Sequence, residues 1–149
     1  MNKLKIFFFL LFLLASSVAY ASDERGECIR NGVVVVEIAR SKADEDPKIL
    51  INGVIAAKGK ELSVIRNSCS KYMIVMISPK STMRDFIDFG FLASKSGFAE
   101  NSDEYLPFVY SSDRTRMTYL KTMAVIRFTD DREQLEEIAE MPPKKSKFI

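Results

Sequence analysis

"MIVMISPKSTMRDFIDFGFLASKSGF", residues 73–98, decides the fold of this chain. Its first six residues show no alternation of polar and apolar side chains, which is typical of a strand buried on both faces. A polar bend follows, in which Ser81 or Thr82 can cap a helix, and Gly97 is placed to end that helix. The stretch therefore predicts a buried strand that leads directly into a helix.

The helix of this stretch has apolar residues at spacings of three and four, as expected for one packed against a core. Its apolar face is predicted to consist of Met83, Phe86, Ile87 and Gly90. The charged residues at the other positions are expected to face outward: Asp85, Asp88 and Lys95.

The bend before the helix has one feature of an anion site, because a helix N-terminus beside a lysine attracts phosphate. The sequence SPKST supplies Lys80 and three hydroxyl side chains. It lacks the glycines that let a backbone wrap around a phosphate, and Pro79 removes one N–H donor. We therefore interpret the bend as a helix cap with a solvated lysine.

The segment before this stretch predicts two or three further strands and a short helix. Residues 33–39, VVVVEIA, have strong strand composition, and residues 48–51, KILI, form a second strand before the turn dipeptide Asn52-Gly53. Residues 54–60 can continue the hairpin. A helix that begins near Glu61 then places on one face Leu62, Ile65 and Cys69.

The segment after this stretch predicts more strand and a last helix. Residues 105–110, YLPFVY, are predicted to form an edge strand, because a proline removes a ladder donor. Residues 114–121 fit either helix or strand, and residues 122–129 fit a strand. A helix after Asp130 has an apolar face of Leu135, Ile138 and Ala139. The whole order predicts an α+β fold with a small mixed β-sheet and helices packed on one face.

Both ends of the chain are expected to lie outside this domain. Residues 1–21 combine a lysine-containing start, an apolar run and a small-x-small ending, which together predict a signal peptide cleaved after Ala21. The alternative is a membrane anchor, for which 6–21 is short, since a spanning helix needs about 20 residues. We predict a single domain over 22–141, a basic tail over 142–149 and no membrane span after signal cleavage.

The charge balance argues against a nucleic-acid partner. Lys3 and Lys5 are the charged residues of the predicted leader, and without them the 22 basic residues of the chain fall to the number of acidic residues, 20. A neutral domain lacks the basic stripe that nucleic-acid binding requires.

The two cysteines of the chain, Cys28 and Cys69, are expected to form a disulfide if the protein is exported. Two buried free thiols are the alternative. Two cysteines do not make a metal site, and the chain has no histidine to assist them, so neither a metal nor a cofactor is expected.

The sequence offers no catalytic residues that we can name. The absence of histidine removes Ser–His and Cys–His dyads. The acidic run at 44–46 lacks the spacing and the glycine of a calcium loop, so we interpret it as a solvated loop. We therefore expect a protein that is not an enzyme.

Five segments occur in an order that resembles a known family: VVVVEIA, ILINGV, ELSVI, MIVMIS and FIDFGFLASKSGF. Residues 33–98 resemble in this way the periplasmic domain of the ExbD/TolR family, the accessory subunits of proton-driven motors in bacterial envelopes. Ser78 stands where that family commonly has an aspartate, residues 99–149 have no obvious counterpart, and 6–21 lacks the family's membrane aspartate. The resemblance therefore implies the fold, self-association and envelope binding, but not the motor function.

We therefore expect a periplasmic or secreted, non-enzymatic binding module with an ExbD/TolR-like core and a C-terminal strand-helix extension. Its expected partner is an envelope protein or peptidoglycan, and a homodimer is also considered. The residues proposed for the binding surface are Tyr105, Phe108 and Tyr110, which alternatively fill the core. Two other functions stay open: a secreted inhibitor that presents the loop 99–104, and a small hydrolase with two converging carboxylates.

Overall fold

Seven strands form one mixed sheet in the computed structural model, which describes Cys28 and residues 30–144. The strands are β1 (Val33–Ala39), β2 (Lys48–Ile51), β3 (Val54–Ile55), β4 (Tyr72–Ile77), β5 (Tyr105–Tyr110), β6 (Arg116–Tyr119) and β7 (Ala124–Arg127). The helices are α1 (Glu61–Asn67), α2 (Met83–Lys95) and α3 (Arg132–Glu140). The predicted leader, 1–21, and residues 145–149 of the predicted tail lie outside the described residues.

The centre of the sheet is parallel and its two sides are antiparallel. The strand order is β3-β2-β1-β4-β5-β6-β7, in which β4 pairs in parallel with both β1 and β5. The remaining neighbours pair antiparallel. Parallel neighbours need long crossovers, and the segments that contain α1 and α2 supply them. The predicted α+β class with a mixed sheet is confirmed.

The central strands bury both of their faces, which explains why they lack polar alternation. Because successive side chains point to opposite faces, Val34 and Val36 enter one core while Val33 enters the other. The first core also takes up Ile65 of α1 and Phe89 of α2, so we call this side the first face.

The opposite side, here called the second face, is covered by the C-terminal helix. Leu135 and Ala139 of α3 pack there with Ile74 and Phe108 of the sheet. The prediction that the helices pack on one face therefore holds for α1 and α2, whereas α3 covers the other face. Sequence periodicity gives the apolar side of a helix but not which face of a sheet receives it.

Pro107 lies in β5, between β4 and β6, and not in an edge strand as predicted. Its carbonyl accepts a hydrogen bond from the backbone N–H of Leu120 at 2.9 Å, just beyond the end of β6. In an extended strand the N and the carbonyl of one residue point to the same neighbour. The missing N–H of Pro107 therefore faces the end of the β6 ladder, which lets this central strand accept a proline.

A buried ion pair joins the end of β1 to the start of α2. Arg40 donates from Nε to Oδ2 of Asp85 at 2.8 Å and from Nη2 to Oδ1 at 2.6 Å, and both side chains are less than a tenth exposed. Arg40 also donates to the carbonyls of Ala43 and Glu45 in the loop after β1. Asp85 was predicted to face outward, and it is instead one of the few buried charged residues of the described chain.

The two cysteines form a disulfide with a Cα–Cα distance of 5.7 Å. α1 ends at Asn67, so Cys69 lies in the loop before β4 with a φ of 54°, and not on the inner helical face that the spacing predicted. Cys28 precedes β1, the parallel neighbour of β4. The bond therefore joins the starts of two adjacent central strands, and it fits a protein outside the cytoplasm.

None of the helices in the described part of the chain is long and apolar enough to cross a membrane.

The Arg40–Asp85 pair predicts a pH-dependent loss of stability in Asp85→Asn. The hydrogen bonds from Arg40 hold the pKa of Asp85 below its ordinary value against the opposing effect of burial. The pair's stabilisation is therefore fully present above the unfolded carboxyl pKa and disappears as the pH falls through the lower, folded pKa. We expect Asp85→Asn to lower the free energy of unfolding at pH 7, because it leaves the largely covered guanidinium of Arg40 without its counter-charge.

Urea unfolding at pH 7 and at a series of acidic pH values measures this loss. The matched control is Asp88→Asn, which removes the exposed partner of Arg84 on the same helix and costs about 0.5 kcal/mol or less. A loss for Asp85→Asn that equals the loss for Asp88→Asn, or that does not shrink in acid, would contradict the prediction.

The disulfide predicts a second stability effect. The double variant Cys28→Ser/Cys69→Ser is expected to unfold with a free energy lower by about 2–4 kcal/mol, because the bond closes a loop with a sequence separation of 41 residues in the unfolded chain. Urea unfolding of the wild type under reducing conditions is the control and is expected to match the variant. Equal stability of the oxidised wild type and the double variant would refute this expectation.

Candidate interaction surface

The aromatic strand proposed from the sequence as a binding surface is part of the core. Tyr105, Phe108 and Tyr110 are 1%, 0% and 7% exposed in β5. Tyr105 packs on the first face, and the other two pack on the second. Because β5 lies between two other strands and its side chains are covered on both faces, these residues cannot meet a partner in this structure.

The polar bend before α2 is a helix cap, as the sequence indicated. Thr82 Oγ1 accepts from the backbone N–H of Asp85 at 3.2 Å, and Asp85 Oδ2 accepts from the N–H of Thr82 at 2.8 Å. Lys80 donates from Nζ to the carbonyl of Ser41 at 2.9 Å. The N-terminus of α2 thus already holds a carboxylate of its own, which fills the position that a bound anion would take.

The two best-buried carboxylates lie on opposite faces of the sheet. Asp85 belongs to α2, whereas Glu37 alternates with the first-face residues of β1 and therefore lies on the second face. Glu37 accepts from the hydroxyl of Tyr110 at 2.9 Å and pairs with Arg114. Burial and the Glu37 carboxylate raise the pKa of Tyr110. Each carboxylate has its own arginine, and the two do not converge.

Metal-binding chemistry is also missing from the described residues. No group of three or more His, Cys, Asp or Glu side chains among them is placed to hold a metal ion.

The loop 99–104, considered for an inhibitor, is fastened to its surroundings. Lys121 donates to the carbonyl of Ser102, and Arg30 pairs with Glu104 at 3.9 Å. The carboxylate of Glu100 lies directly against Gly90 of α2. The loop is therefore held at three points, while Ala99, Glu100, Asn101 and Asp103 stay exposed.

An apolar stripe along α2 is exposed. Met83, Ile87 and Phe91 follow each other at intervals of four residues and are 73%, 49% and 65% exposed. The helix instead buries Phe89 and Ala93, with Phe86 and Gly90 beside them. The predicted apolar face is therefore correct for Phe86 and Gly90 and wrong for Met83 and Ile87.

The exposed stripe lies on the side of α2 that faces away from α1, and at about 100° per residue Phe91 is roughly 160° around the helix from the buried Phe89. Asp85 faces Arg40 at the end of β1, and Arg66 of α1 donates to the carbonyl of Lys95 at 2.6 Å, so this flank of α2 adjoins β1 and α1. At about 100° per residue, Met83 and Ile87 lie roughly 160° around the helix from Asp85.

The first face of β6 and β7 is uncovered. Val109 of β5 packs toward the first core, its partner in β6 is Thr118, and the partner of Thr118 in β7 is Val125. Paired residues share a face, so Val125 lies on the first face, where it is 59% exposed. Two residues away in each strand, Arg116 and Arg127 pair on the same face, and both are exposed.

We call these two uncovered surfaces together the open face. The open face consists of Met83, Ile87, Phe91, Arg116, Thr118, Val125 and Arg127. Exposed apolar side chains that are aligned in this way mark a candidate interaction site.

The open face was not predicted from the sequence. The four-residue spacing of Met83, Ile87 and Phe91 was visible, but Phe86, Phe89 and Ala93 offered a competing apolar face on the same helix. Asp85 lies at the edge of that competing face and opposite the stripe. If its pairing with Arg40 had been known, it would have identified the competing face as the buried one.

Comparison with known proteins gives no relative for this chain: no family model, no curated protein and no solved structure matches it.

The two phenylalanines of α2 test the assignment of the helix faces. Phe89→Ala is expected to lower the free energy of unfolding by about 3–5 kcal/mol, because it opens a cavity in the first core. Phe91→Ala is expected to change it by about 0.5 kcal/mol or less, because this side chain is already in solvent. Urea unfolding of both variants measures the difference, and similar losses would contradict the described rotation of α2.

Proposed function

We propose that this chain is an exported, non-enzymatic binding domain that docks a protein of the cell envelope on the open face. The disulfide supports the extracytoplasmic location, since such bonds persist in oxidising compartments. The predicted signal peptide is consistent with it. The resemblance of residues 33–98 to the ExbD/TolR periplasmic domain points in the same direction and stays a prediction.

The observation that carries the proposal is the exposure of four large apolar side chains on α2 and β7. Met83, Ile87 and Phe91 follow one another along α2, and Val125 lies on the first face of β7. Covering them removes apolar surface from water, which is the main favourable term in protein association. Isolated exposed apolar residues are ordinary, whereas Met83, Ile87 and Phe91 are aligned along one side of α2.

The composition of the open face favours a protein over peptidoglycan as the partner. Its exposed groups are hydrocarbon side chains, one aromatic ring and two arginines, which is the composition of protein interfaces with an apolar centre. A glycan presents many hydroxyl groups, which need hydrogen-bonding side chains to replace water. The open face offers few of these.

A photo-cross-linking amino acid placed at Phe91 tests the proposal in cells that produce the protein. We expect a defined protein adduct at position 91 that disappears when Ile87→Asp is added, because a buried charge in the docked interface is costly. The matched control carries the cross-linker at Ile55, which is 62% exposed on β3 at the other end of the sheet. We expect no such adduct there.

Each other outcome contradicts part of the proposal. Equal adducts at positions 91 and 55, or an adduct that survives Ile87→Asp, would mean that the open face is not the docking surface. An adduct that is released by a muramidase and resists protease would identify peptidoglycan. An adduct with twice the mass of the chain would show that a second copy occupies the open face.

A further inference from the structure

We propose that Asn31 is a modification site, at which the folded protein loses the side-chain amide through intramolecular attack by the Gly32 nitrogen. The inference is independent of the proposed function. It concerns the two Asn-Gly dipeptides of the chain, at 31–32 and 52–53, which consist of the same two residues in different surroundings. The structure leaves the first dipeptide open to this reaction and holds the second in place.

The reaction needs an asparagine whose side-chain carbonyl carbon, Cγ, can approach the backbone nitrogen of the next residue. That nitrogen forms a bond to Cγ, its proton passes to the departing amide nitrogen, and ammonia leaves behind a five-membered succinimide ring. Water then opens the ring at either carbonyl and gives aspartate, or isoaspartate, in which the main chain runs through Cγ. No oxidant or reductant takes part. Glycine is the most favourable following residue, because it has no Cβ to hinder the attack.

Asn31 lies in an open arrangement just before β1. Its side chain is exposed. Its backbone N–H donates to the carbonyl of Cys69 at 2.9 Å, and the carbonyl of Gly32 accepts from the backbone N–H groups of Lys71 and Tyr72 at 3.1 Å. These bonds hold the Asn31 N–H and the Gly32 carbonyl, whereas the two reacting groups, the Asn31 amide and the Gly32 N–H, make no hydrogen bond to another described residue.

Asn52 is held by β1 through both its backbone and its side chain. Its N–H donates to the carbonyl of Val35 at 2.8 Å, and its Oδ1 accepts from the N–H of Val35 at 3.0 Å. To bring Cγ to the Gly53 nitrogen, the side chain must leave Val35 and the turn between β2 and β3 must open. Intramolecular reactions depend steeply on the geometry of the reacting atoms, so Asn52 reacts slowly while the protein is folded.

The other two asparagines of the described chain are followed by serine, whose Cβ hinders the attack. The N–H of Ser68, after Asn67, donates to a carbonyl of α1 at 3.1 Å. The N–H of Ser102, after Asn101, donates within its own loop at 3.0 Å. The attacking nitrogen is therefore occupied in both cases, although both asparagines are exposed. Exposure alone does not single out Asn31, but exposure together with an unoccupied glycine nitrogen does.

Conversion of Asn31 changes the point at which the two central strands begin. The Asn31 N–H and the Gly32 carbonyl connect the start of β1 to the segment that carries Cys69 and leads into β4. Aspartate adds a negative charge at this point. Isoaspartate adds a further carbon to the main chain between the two groups, so both cannot keep their present partners.

Peptide mapping by mass spectrometry tests the proposal on the full chain with its disulfide intact, aged in mildly alkaline buffer. In the folded protein we expect Asn31 to convert at least about tenfold faster than Asn52, with isoaspartate among the products. In concentrated urea we expect equal rates, because the bonds to Val35 are then lost. The variant Asn31→Gln is expected to lose the fast release of ammonia, and the matched control Asn101→Gln is expected to keep it.

Each other outcome overturns the proposal. Equal rates at 31 and 52 in the folded protein, or a faster conversion at 52, 67 or 101, would mean that the described hydrogen bonds do not control the reaction. A difference that persists unchanged in urea would assign the rates to local sequence and not to the fold. If Asn31 and Asn52 both convert in urea and neither converts in the folded protein, the start of β1 is as well protected as the hairpin turn, and Asn31 is not a modification site.

Discussion

The ion pair between Arg40 and Asp85 sets the orientation of α2, and the rest of the first face follows from that orientation. Arg40 is fixed because it directly follows β1 and also donates to two carbonyls of the same loop. Asp85 is fixed because it closes the capping box with Thr82. A charged pair this well buried must satisfy its hydrogen bonds, so it leaves the helix little freedom to rotate. Phe89 and Ala93 are then directed into the core, while Met83, Ile87 and Phe91 are directed into solvent.

The contribution of the sequence pattern to the fold can be judged strand by strand. The apolar runs at 33–39 and 73–78 correspond to β1 and β4, because strands buried on both faces need continuous apolar sequence. The Asn52-Gly53 turn has φ values of 50° and 80°, as a tight hairpin turn requires. The position of β5 within the sheet was not predictable in this way. Pro107 indicated an edge, and only the partner strand shows that its missing N–H meets the end of a ladder.

The candidate site was less predictable than the fold, because it depends on contacts between residues far apart in sequence. At 100° per residue, the predicted apolar face of α2 lies about 60° around the helix from the observed one. Periodicity counts only apolar positions, so it could not show that Asp85 is buried on the same side as Phe89. Val125 becomes part of the open face only through the register of β5, β6 and β7. The aromatic residues of β5 seemed suited to binding by composition, yet their position between two covered faces makes them core.

The position of the disulfide has a mechanical consequence for the sheet. Without the disulfide, a force that pulls on the chain at Cys28 would separate β1 from the sheet first, one hydrogen bond after another. The covalent link to Cys69 passes the force to the start of β4, which is held by β1 on one side and β5 on the other. The force then acts along the parallel strands at the centre of the sheet, so the hydrogen bonds between them must break together. A force applied at Cys28 is therefore carried into the middle of the sheet.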